Sequence, residues 1–268
     1  MAELLEIETL KLQEFVLKIS ANSVPAISFF VLSFEISRDK TVLWFVFLLI
    51  STVSGFKGKF VACPWGLVFG FCLLMYVCKA GHMAIRKAKQ EGYSNITCEV
   101  SPHHLVLSKN DIKDANWKMN PPLREVEDLN ETIKALIDGT ADIIASDHAP
   151  HTVEEKSREY DKCPNGIIGL ETMIPIIYTK FVKTNLIDLN RFLDLLVYNP
   201  IKIFNLPKRD LKEGYEADIT CIDIENSHKY TKEEILSKGI NSPFIGEEYY
   251  GFPKYTFVNG QLVYKKEV

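Results

Sequence analysis

The stretch from Ala141 to His151 constrains the fold of this chain more than any other. It begins with small apolar and β-branched residues, as a buried strand does, and it ends in a polar tip that contains Asp147 and His148. A β/α barrel builds its active site from polar side chains at the carboxyl ends of its strands. Asp147 and His151 lie four residues apart across a turn that Pro150 restricts, so both side chains can face one cavity. The alternative is a polar surface turn without a function.

A second polar strand tip lies upstream. The segment 96–100 has the pattern of a short strand and is followed directly by Ser101, Pro102, His103 and His104. A neutral imidazole at such a tip can bind a metal ion, which makes His103 a candidate metal ligand. The alternative is a capped loop with two incidental histidines. Because two polar tips occur in one chain, we favour a functional site.

The loops around these tips add further candidates. Asn120 precedes two prolines that hold the chain extended, and its amide can both donate to and accept from an amide or imide ring. The alternative for Asn120 is a turn-forming residue. The charged loop 152–162 is either a mobile lid or a solvated loop. A Gly/Pro loop, which ends at Gly169, can bring bare backbone close to the site.

The remaining pattern from residue 84 onward is that of a soluble α/β protein. Helical periodicity covers 84–92, 125–138, 170–182, 189–197 and 201–205, and Gly92 and Gly139 are stop signals for the first two. From Leu211 the chain turns to β-structure. A strand is expected at 217–224, and Asn259-Gly260 predicts a two-residue hairpin. These strands predict a small sheet appended at the C-terminus.

Residues 1–78 have a different composition. Neither Asp nor Glu occurs between Lys40 and Gln90, and the runs 41–56 and 60–78 carry no charge. The second run is long enough to span a bilayer, and Lys57 and Lys59 would place the loop between the runs in the cytoplasm. We expect a mainly helical segment, with an amphipathic helix over 1–20. The alternatives to a membrane hairpin over 41–78 are a buried core segment and a stretch that a frameshift or rearrangement added.

Overall charge excludes one class of partner. The net charge is −4 and the isoelectric point is about 5.9, whereas nucleic-acid-binding domains are usually strongly basic. We therefore expect a small-molecule substrate rather than a nucleic acid.

Several motifs occur in the order found in dihydroorotases. They are CEVSPHHL, WKMNPPLR, ADIIASDHAPH, GIIGLET, NPIKIFNL, LKEGYEADITCID, SPF and FVNGQLVY. The chain resembles this family over about residues 79–268, and more broadly it resembles the amidohydrolase superfamily, which includes allantoinases and hydantoinases. The DHAPH and NPPLR motifs together are specific to such enzymes.

The resemblance implies a fold, a reaction and a cofactor. The fold is an α/β architecture in which 79–206 form the C-terminal half of a TIM-type (β/α) barrel and 207–268 form a small β-subdomain. The reaction is the interconversion of dihydroorotate and N-carbamoyl-aspartate in pyrimidine biosynthesis, with zinc as the cofactor. Such an enzyme is expected in the cytoplasm, and homo-oligomers are a further expectation.

The resemblance also assigns roles to individual residues. His103 matches a metal-ligand histidine, and Asp147 matches the aspartate that binds metal and transfers the proton. Asn120 and His151 match substrate-contacting positions, and Gly169 lies in the loop whose backbone contacts the substrate ring.

The chain also departs from the family pattern. The family's first barrel strand ends in His-x-His, and no such pair occurs among the six histidines here. The bridging residue of the middle barrel and the histidine of the next strand have no counterpart either, so the binuclear metal centre is incomplete. We therefore expect little or no activity from this chain alone. The alternatives are a membrane-anchored, non-catalytic relative and an allantoinase-like hydrolase.

Overall fold

The computed structural model describes the backbone of residues 27–36, 41–50, 60–62, 72–75, 77–207 and 211–266, and the side chains from residue 77 onward within these ranges. The chain divides into two compact units, 1–98 and 99–268.

The described part of the first unit is mostly β-structure. Its strands are β1 (Ile27–Ile36), β2 (Thr41–Ile50), β3 (Phe60–Ala62) and β4 (Cys72–Met75). Strands β1, β2 and β3 form an antiparallel sheet, in which Ile27 is paired with Ile50 and Ile36 with Thr41. No helix among the described residues combines the length and the hydropathy that a bilayer crossing requires.

The described ranges are strands, and the expectation of a mainly helical N-terminal segment stays a prediction for the segment as a whole. A long apolar run indicates burial but does not by itself distinguish a helix from a strand. The runs 27–36 and 41–50 are rich in β-branched and aromatic residues, which favour strands. The amphipathic helix expected over 1–20 lies outside the described residues.

Helix α1 (Lys79–Gln90) completes the described part of the first unit. It buries Gly81, His82 and Ile85 on one face. Two lysines in its last turn interact favourably with the negative end of the helix dipole. Gly92 follows with a φ of 91°, a left-handed conformation that glycine adopts without strain. The stop signal read from the sequence at Gly92 is confirmed.

The second unit begins within a parallel strand pair. The boundary falls inside strand β5 (Ile96–Val100), and the last two residues of this strand belong to the second unit. They pair in parallel with β6 (Ile143–Ile144), so that Val100 lies beside Ile144. The helices that follow are α2 (Pro102–Val106), α3 (Val126–Ile137), α4 (Val153–Lys156), α5 (Met173–Ile177), α6 (Leu189–Leu193) and α7 (Asn199–Ile203). Parallel strands separated by helices are the βα pattern expected for this region.

Helix α3 shows how the sequence places strand β6. Glu127 and Asp128 in its first turn interact favourably with the positive end of the helix dipole. Gly139 follows its last turn with a φ of 85°, as a glycine that ends a helix does. The Arg191 guanidinium donates to the carbonyl of Leu136 at 3.0 Å and to that of Ala141 at 2.5 Å. Arg191 thereby joins the end of α3 to the start of the segment that carries β6.

The two apolar helices expected over 170–182 and 189–197 are each divided. Helix α5 continues into a π-helical turn at Tyr178–Val182, and helix α6 continues into another at Asp194–Tyr198. The contacts of the described residues do not explain the wider turns. The buried faces agree with the sequence pattern, since Ile176, Ile177 and Leu195 are fully buried.

The C-terminal region forms two small sheets. The first contains β7 (Ile219–Asp223), β10 (Phe252–Val258) and β11 (Gln261–Lys265), with β10 in the middle and all pairs antiparallel. The second pairs β8 (His228–Lys229) with β9 (Glu248–Tyr249). Asn259 and Gly260 join β10 to β11 with φ angles of 50° and 75°. The two-residue hairpin expected there is confirmed.

One apolar cluster joins the sheets to the helical region. Its members come from the loops near the strand tips, from α5 and from the C-terminal strands: Met119, Leu123, Ile167, Ile176, Tyr230, Phe244, Tyr249 and Phe252. The cluster contains residues from both sides of position 206. The boundaries at 78 and 206 stay a prediction.

Candidate functional site

The two polar strand tips lie at the same edge of the parallel pair. Strands β5 and β6 run in the same direction, and the N–H of Ala145 donates to the carbonyl of Val100 at 3.0 Å. Both carboxyl ends therefore meet at one place. The side chains of His103 and Asp147 come together there, with 3.5 Å between His103 Nε2 and Asp147 Oδ2.

The hydrogen bonds around His103 determine which of its nitrogens carries the proton. His104 Nε2 lies 2.9 Å from the carbonyl of Pro121, which can only accept, so this nitrogen carries a proton. In a neutral ring His104 Nδ1 is then an acceptor and takes the hydroxyl proton of Ser101. Ser101 Oγ, 2.9 Å from His103 Nε2, must then accept the N–H of His103. This assignment follows from the network and directs the Nε2 proton of His103 to Ser101.

Asp147 sits in an unusual backbone conformation. Its φ is 50°, which is the left-handed region that non-glycine residues rarely adopt. Its side chain is 34% exposed, while the His103 side chain facing it is buried. Strained residues of this kind concentrate at functional sites. The carboxylate is accessible from solvent on one side and faces the buried His103 ring on the other.

A second carboxyl group lies near this pair. Glu99 is on β5, and its burial, together with the nearby charge of Asp147, raises its pKa to about 7. At neutral pH Glu99 is therefore divided between its neutral and charged forms. Two acidic groups at one strand tip, one of them partly protonated, can exchange protons with a reacting molecule.

His148 is turned toward the loop that carries Gly169. Its Nδ1 accepts the N–H of Gly169 at 3.1 Å and that of Leu170 at 3.4 Å. A Cβ built on Gly169 would lie 2.7 Å from the carbonyl oxygen of Ser146. The missing side chain of Gly169 thus permits close packing against the strand tip. The proposed contact of Gly169 with a substrate stays a prediction.

His151 is held from three sides. Its backbone N–H donates to Asn241 Oδ1 at 2.9 Å, and its Nε2 lies 2.9 Å from the carbonyl of Asn165. Its Nδ1 lies 3.5 Å from a carboxylate oxygen of Glu155, and a hydrogen bond from the Thr152 N–H holds the pKa of that carboxyl below its usual value. The ring therefore has a fixed direction. The His151 side chain is 24% exposed, which leaves part of it open to a ligand.

Asn120 is exposed and lies at the start of the proline segment. It precedes a cis peptide bond to Pro121, whose carbonyl accepts from His104. This carbonyl connects the proline segment to the histidine pair at the tip of β5. The expected role of Asn120 in substrate binding stays a prediction.

A cavity of about 290 Å³ opens beside His151. Trp117, Lys156 and Asn241 contribute to its walls together with His151. Asp147, Asn120 and Gly169 are not among its lining residues. His151 therefore borders this space, and the expectation that Asp147 and His151 face one cavity stays a prediction.

The described residues do not complete a zinc site. Within the part of the chain that the structure describes, no group of three His, Cys, Asp or Glu side chains could hold a metal ion. A catalytic zinc needs three protein ligands, and His103 and Asp147 are two candidates at most. The proton on His103 Nε2 also directs that nitrogen toward Ser101.

Two side chains that the sequence did not single out organise the surroundings. Buried Lys156 donates from Nζ to the carbonyls of Ala115 at 2.7 Å and Pro164 at 3.1 Å, and burial lowers its pKa. Asn241 is 2% exposed and bonds three separate backbone groups. Asn241 directly precedes the SPF motif, and this neighbourhood was the only feature of the sequence that could have indicated its role. For Lys156 the sequence offered no signal, because lysines in charged loops are usually solvated.

Similarity to known proteins shows to which family this chain belongs. A model of the amidohydrolase family matches residues 82–263. This chain belongs to the amidohydrolase family. Enzymes of this family generally depend on a metal ion.

Similar curated relatives carry one name. The dihydroorotases of Lactobacillus leichmannii and Shouchella clausii are each 49% identical to this chain over 185 residues, which is 68% of this chain and 43% of each relative. The chain thus spans less than half the length of the curated relatives it matches. The resemblance to dihydroorotases is confirmed over about two thirds of the chain.

Solved structures give the fold. The dihydropyrimidinase of Brevibacillus agri NCHU1002 superimposes with a TM-score of 0.67 at 25% identity, covering 73% of this chain and 45% of that chain. The L-hydantoinase of Arthrobacter aurescens gives 0.66 at 29% identity, with 72% and 45% covered. These amidohydrolase relatives assign this chain to a TIM-barrel-type α/β fold.

Proposed function

We propose that this amidohydrolase chain carries the C-terminal part of a dihydroorotase-like site, which interconverts dihydroorotate and N-carbamoyl-aspartate in pyrimidine biosynthesis. The 49% identity to curated dihydroorotases carries the proposal. The meeting of His103 and Asp147 at one edge of the sheet is consistent with it. In this proposal the substrate is a small molecule and the enzyme acts in the cytoplasm.

In the proposed reaction Asp147 moves the proton. A water molecule attacks the ring amide carbon, a C–O bond forms and the ring C–N bond breaks. Asp147 accepts the proton of the attacking water and returns it to the leaving nitrogen, so no proton is lost or gained at the enzyme. His103 Nε2 lies 3.5 Å from this carboxylate, so the buried ring borders the position from which Asp147 would act. Asp147 is accessible enough for both transfers, since a third of its side chain is exposed.

His151 and Asn120 are proposed to bind the substrate. Asn165 and Glu155 hold the two ring nitrogens of His151, so we propose that its partly exposed ring contacts the substrate by packing. Asn120 offers an amide that can pair with the amide edge of the substrate. Zinc is the cofactor that the family suggests, and its remaining ligands are not found among the described residues. We therefore propose weak or no turnover by this chain alone.

The first prediction concerns ligand binding. We expect dihydroorotate to bind the purified chain without substantial turnover, because binding groups are present and a complete metal site is not. Isothermal titration calorimetry measures the binding, and the ring absorbance follows hydrolysis with and without stoichiometric zinc. His151→Ala should weaken binding about tenfold, because the contact between its ring and the ligand is lost. Asp161→Asn, on the exposed loop, is the matched control and should bind like the unchanged protein.

Other outcomes contradict particular parts of this proposal. Rapid turnover with stoichiometric zinc would show that the chain is complete as it stands. Binding of hydantoin in preference to dihydroorotate would favour a hydantoinase-like specificity, which the TM-scores of 0.66 and 0.67 make the second candidate. Binding of neither ring would refute both assignments.

A further inference from the structure

A segment far along the chain lies across both loops of the site. We call Leu236–Ser242 the strap. It follows the short strand β8 in sequence, yet its contacts reach residues 65 to 92 positions earlier. At one end the backbone N–H groups of Leu236 and Ser237 both donate to Glu171 Oε1, at 3.3 and 3.2 Å. The strap is thus fixed to the loop that follows Gly169.

Asn241 makes the central contacts of the strap. Its Oδ1 accepts the backbone N–H of His151 at 2.9 Å. Its Nδ2 donates to the carbonyl of Ala149 at 2.9 Å and to that of Gly166 at 3.0 Å. One side chain therefore bonds the loop after β6 and the loop before α5 at the same time. Both of its N–H donors are used within the protein, so the amide is not available to donate to a substrate.

The backbone of Asn241 adds a fourth bond. Its carbonyl accepts the N–H of Ile168 at 3.0 Å. Asn241 is only 2% exposed, and in a buried place each bond that is lost leaves a polar group without a partner. The position of Asn241 is therefore coupled tightly to that of both loops.

Gly239 shows how closely the strap approaches His151. A Cβ built on Gly239 would lie 2.7 Å from Asn241 Oδ1 and 2.8 Å from the backbone nitrogen of His151. Even a methyl group would enter the space of the Asn241–His151 hydrogen bond. Gly166 on the opposite side is also too closely packed to carry a side chain, because its Cβ would lie 2.5 Å from the Cβ of Ala149.

We propose that Asn241 is a positioning residue, which sets the place of His151 and of Gly166 relative to each other. It acts through these two residues and does not touch the substrate. The consequence for ligand binding rests on the proposed function, in which His151 contacts the substrate. The mechanical link between Asn241 and His151 rests on the hydrogen bonds alone.

Three variants and one control test the proposal. Asn241→Ala removes all three side-chain bonds. Asn241→Asp keeps the acceptor for the His151 N–H and removes the donors to Ala149 and Gly166. Gly239→Ala keeps the asparagine at position 241, but the added methyl group would push its side chain away from His151. Asn199→Ala is the matched control, because Asn199 donates from its side chain to the carbonyl of Asp142 at 2.8 Å, away from the strap.

The readout that separates positioning from general stability is residue-resolved. Hydrogen exchange of the His151 amide and the nitrogen chemical shifts of its ring are measured by NMR, beside the melting temperature of each variant. We expect Asn241→Ala and Gly239→Ala to speed exchange of the His151 amide about tenfold, as for one lost hydrogen bond, and to shift the ring signals. Asn241→Asp should keep the amide protected. Asn199→Ala should leave both signals unchanged even where it lowers the melting temperature.

Dihydroorotate titration of the same proteins distinguishes the two proposals. If the unchanged chain does not bind dihydroorotate, the proposed function fails, and the exchange data still decide whether Asn241 positions His151. If it binds, Asn241→Ala should weaken binding about as much as His151→Ala. Unchanged exchange and ring signals in both Asn241→Ala and Gly239→Ala would overturn the positioning role. An equal change of the His151 signals in Asn199→Ala would overturn it as well.

Discussion

The side chains at the two strand tips owe their properties to partners outside their own tips. His103 carries its proton on Nε2 because His104 donates to the carbonyl of Pro121 and accepts from Ser101, which then accepts from His103. Nothing in the tetrapeptide that ends in two histidines specifies this tautomer. The zinc-ligand role inferred for His103 from family resemblance stays a prediction, and in this tautomer the lone pair of the ring lies on Nδ1.

Glu99 offers a prediction at the same scale. Its pKa rises from about 4.5 to about 7 in the folded state, because burial disfavours the charged form. The folded state thus keeps its proton to a higher pH than the unfolded state does. Stability is therefore expected to fall as the pH rises from about 4.5 to 7 and to stay lower above 7.

Glu99→Gln should remove this dependence. The variant should gain up to about 3 kcal/mol over the unchanged chain at pH 8 and little or nothing at pH 4.5. Urea unfolding at both pH values in metal-free buffer measures the difference. An equal gain or loss at the two pH values would show that Glu99 does not ionise in the way described.

At the scale of elements, the loop 152–162 is anchored where the sequence allowed either a lid or a solvated loop. Lys156 bonds the carbonyls of Ala115 and Pro164, and Lys118 bonds those of Tyr160 and Cys163. Lys156 of the loop thus donates to the segment 115–118, and Lys118 of that segment donates back to the loop and to the residue that follows it. These contacts favour a fixed wall beside His151 over a mobile lid.

Lys156→Met tests this arrangement. Methionine keeps the apolar stem but leaves the carbonyls that Lys156 bonded without their donor, which should cost about 1–3 kcal/mol of unfolding free energy. Exchange of the backbone amides in 157–165 should speed up, as measured by hydrogen exchange with mass spectrometry. Lys162→Met is the control: its ion pair with Glu159 is exposed, and the change should be under about 0.5 kcal/mol. Equal effects of the two variants would contradict the anchoring role.

At the scale of the whole molecule, the apolar cluster around Tyr230 and Phe252 decides how the second unit holds together. Phe252 on β10 and Ile167 and Ile176 near the site belong to the same cluster. The cluster therefore predicts that the C-terminal strands and the strand-tip loops unfold together. An independent β-subdomain over 207–268 would instead unfold separately.

Phe252→Ala distinguishes these two cases. Removing a buried phenylalanine should cost about 3–5 kcal/mol, and amide exchange should speed up both in β10 and around Ile167. Leu262→Ala on the exposed side of β11 should cost under about 1 kcal/mol and serves as the control. Faster exchange confined to 207–268 would show that the β-strands form a domain of their own.

The sequence by itself determined the local elements and the family. The Gly92 stop signal, the Asn259-Gly260 hairpin and the two strand tips depend on neighbouring residues, and local backbone preferences suffice to predict them. The motif order from CEVSPHHL to FVNGQLVY was sufficient for the family. The strands in the apolar runs 27–36 and 41–50 could not be predicted from hydropathy, because hydropathy reports burial without specifying how the backbone pairs.

Only the tertiary structure decided what surrounds the candidate residues. The side-chain bonds of Asn241 span 75 to 92 residues, and those of Lys156 span up to 41. The raised pKa of Glu99 depends on burial and on Asp147 across the strand pair. Such contacts form only when distant segments meet, and no periodicity or motif encodes them. The sequence of Ala141–His151 was enough to predict a functional strand tip. Its partners and its hydrogen-bond pattern came from the fold.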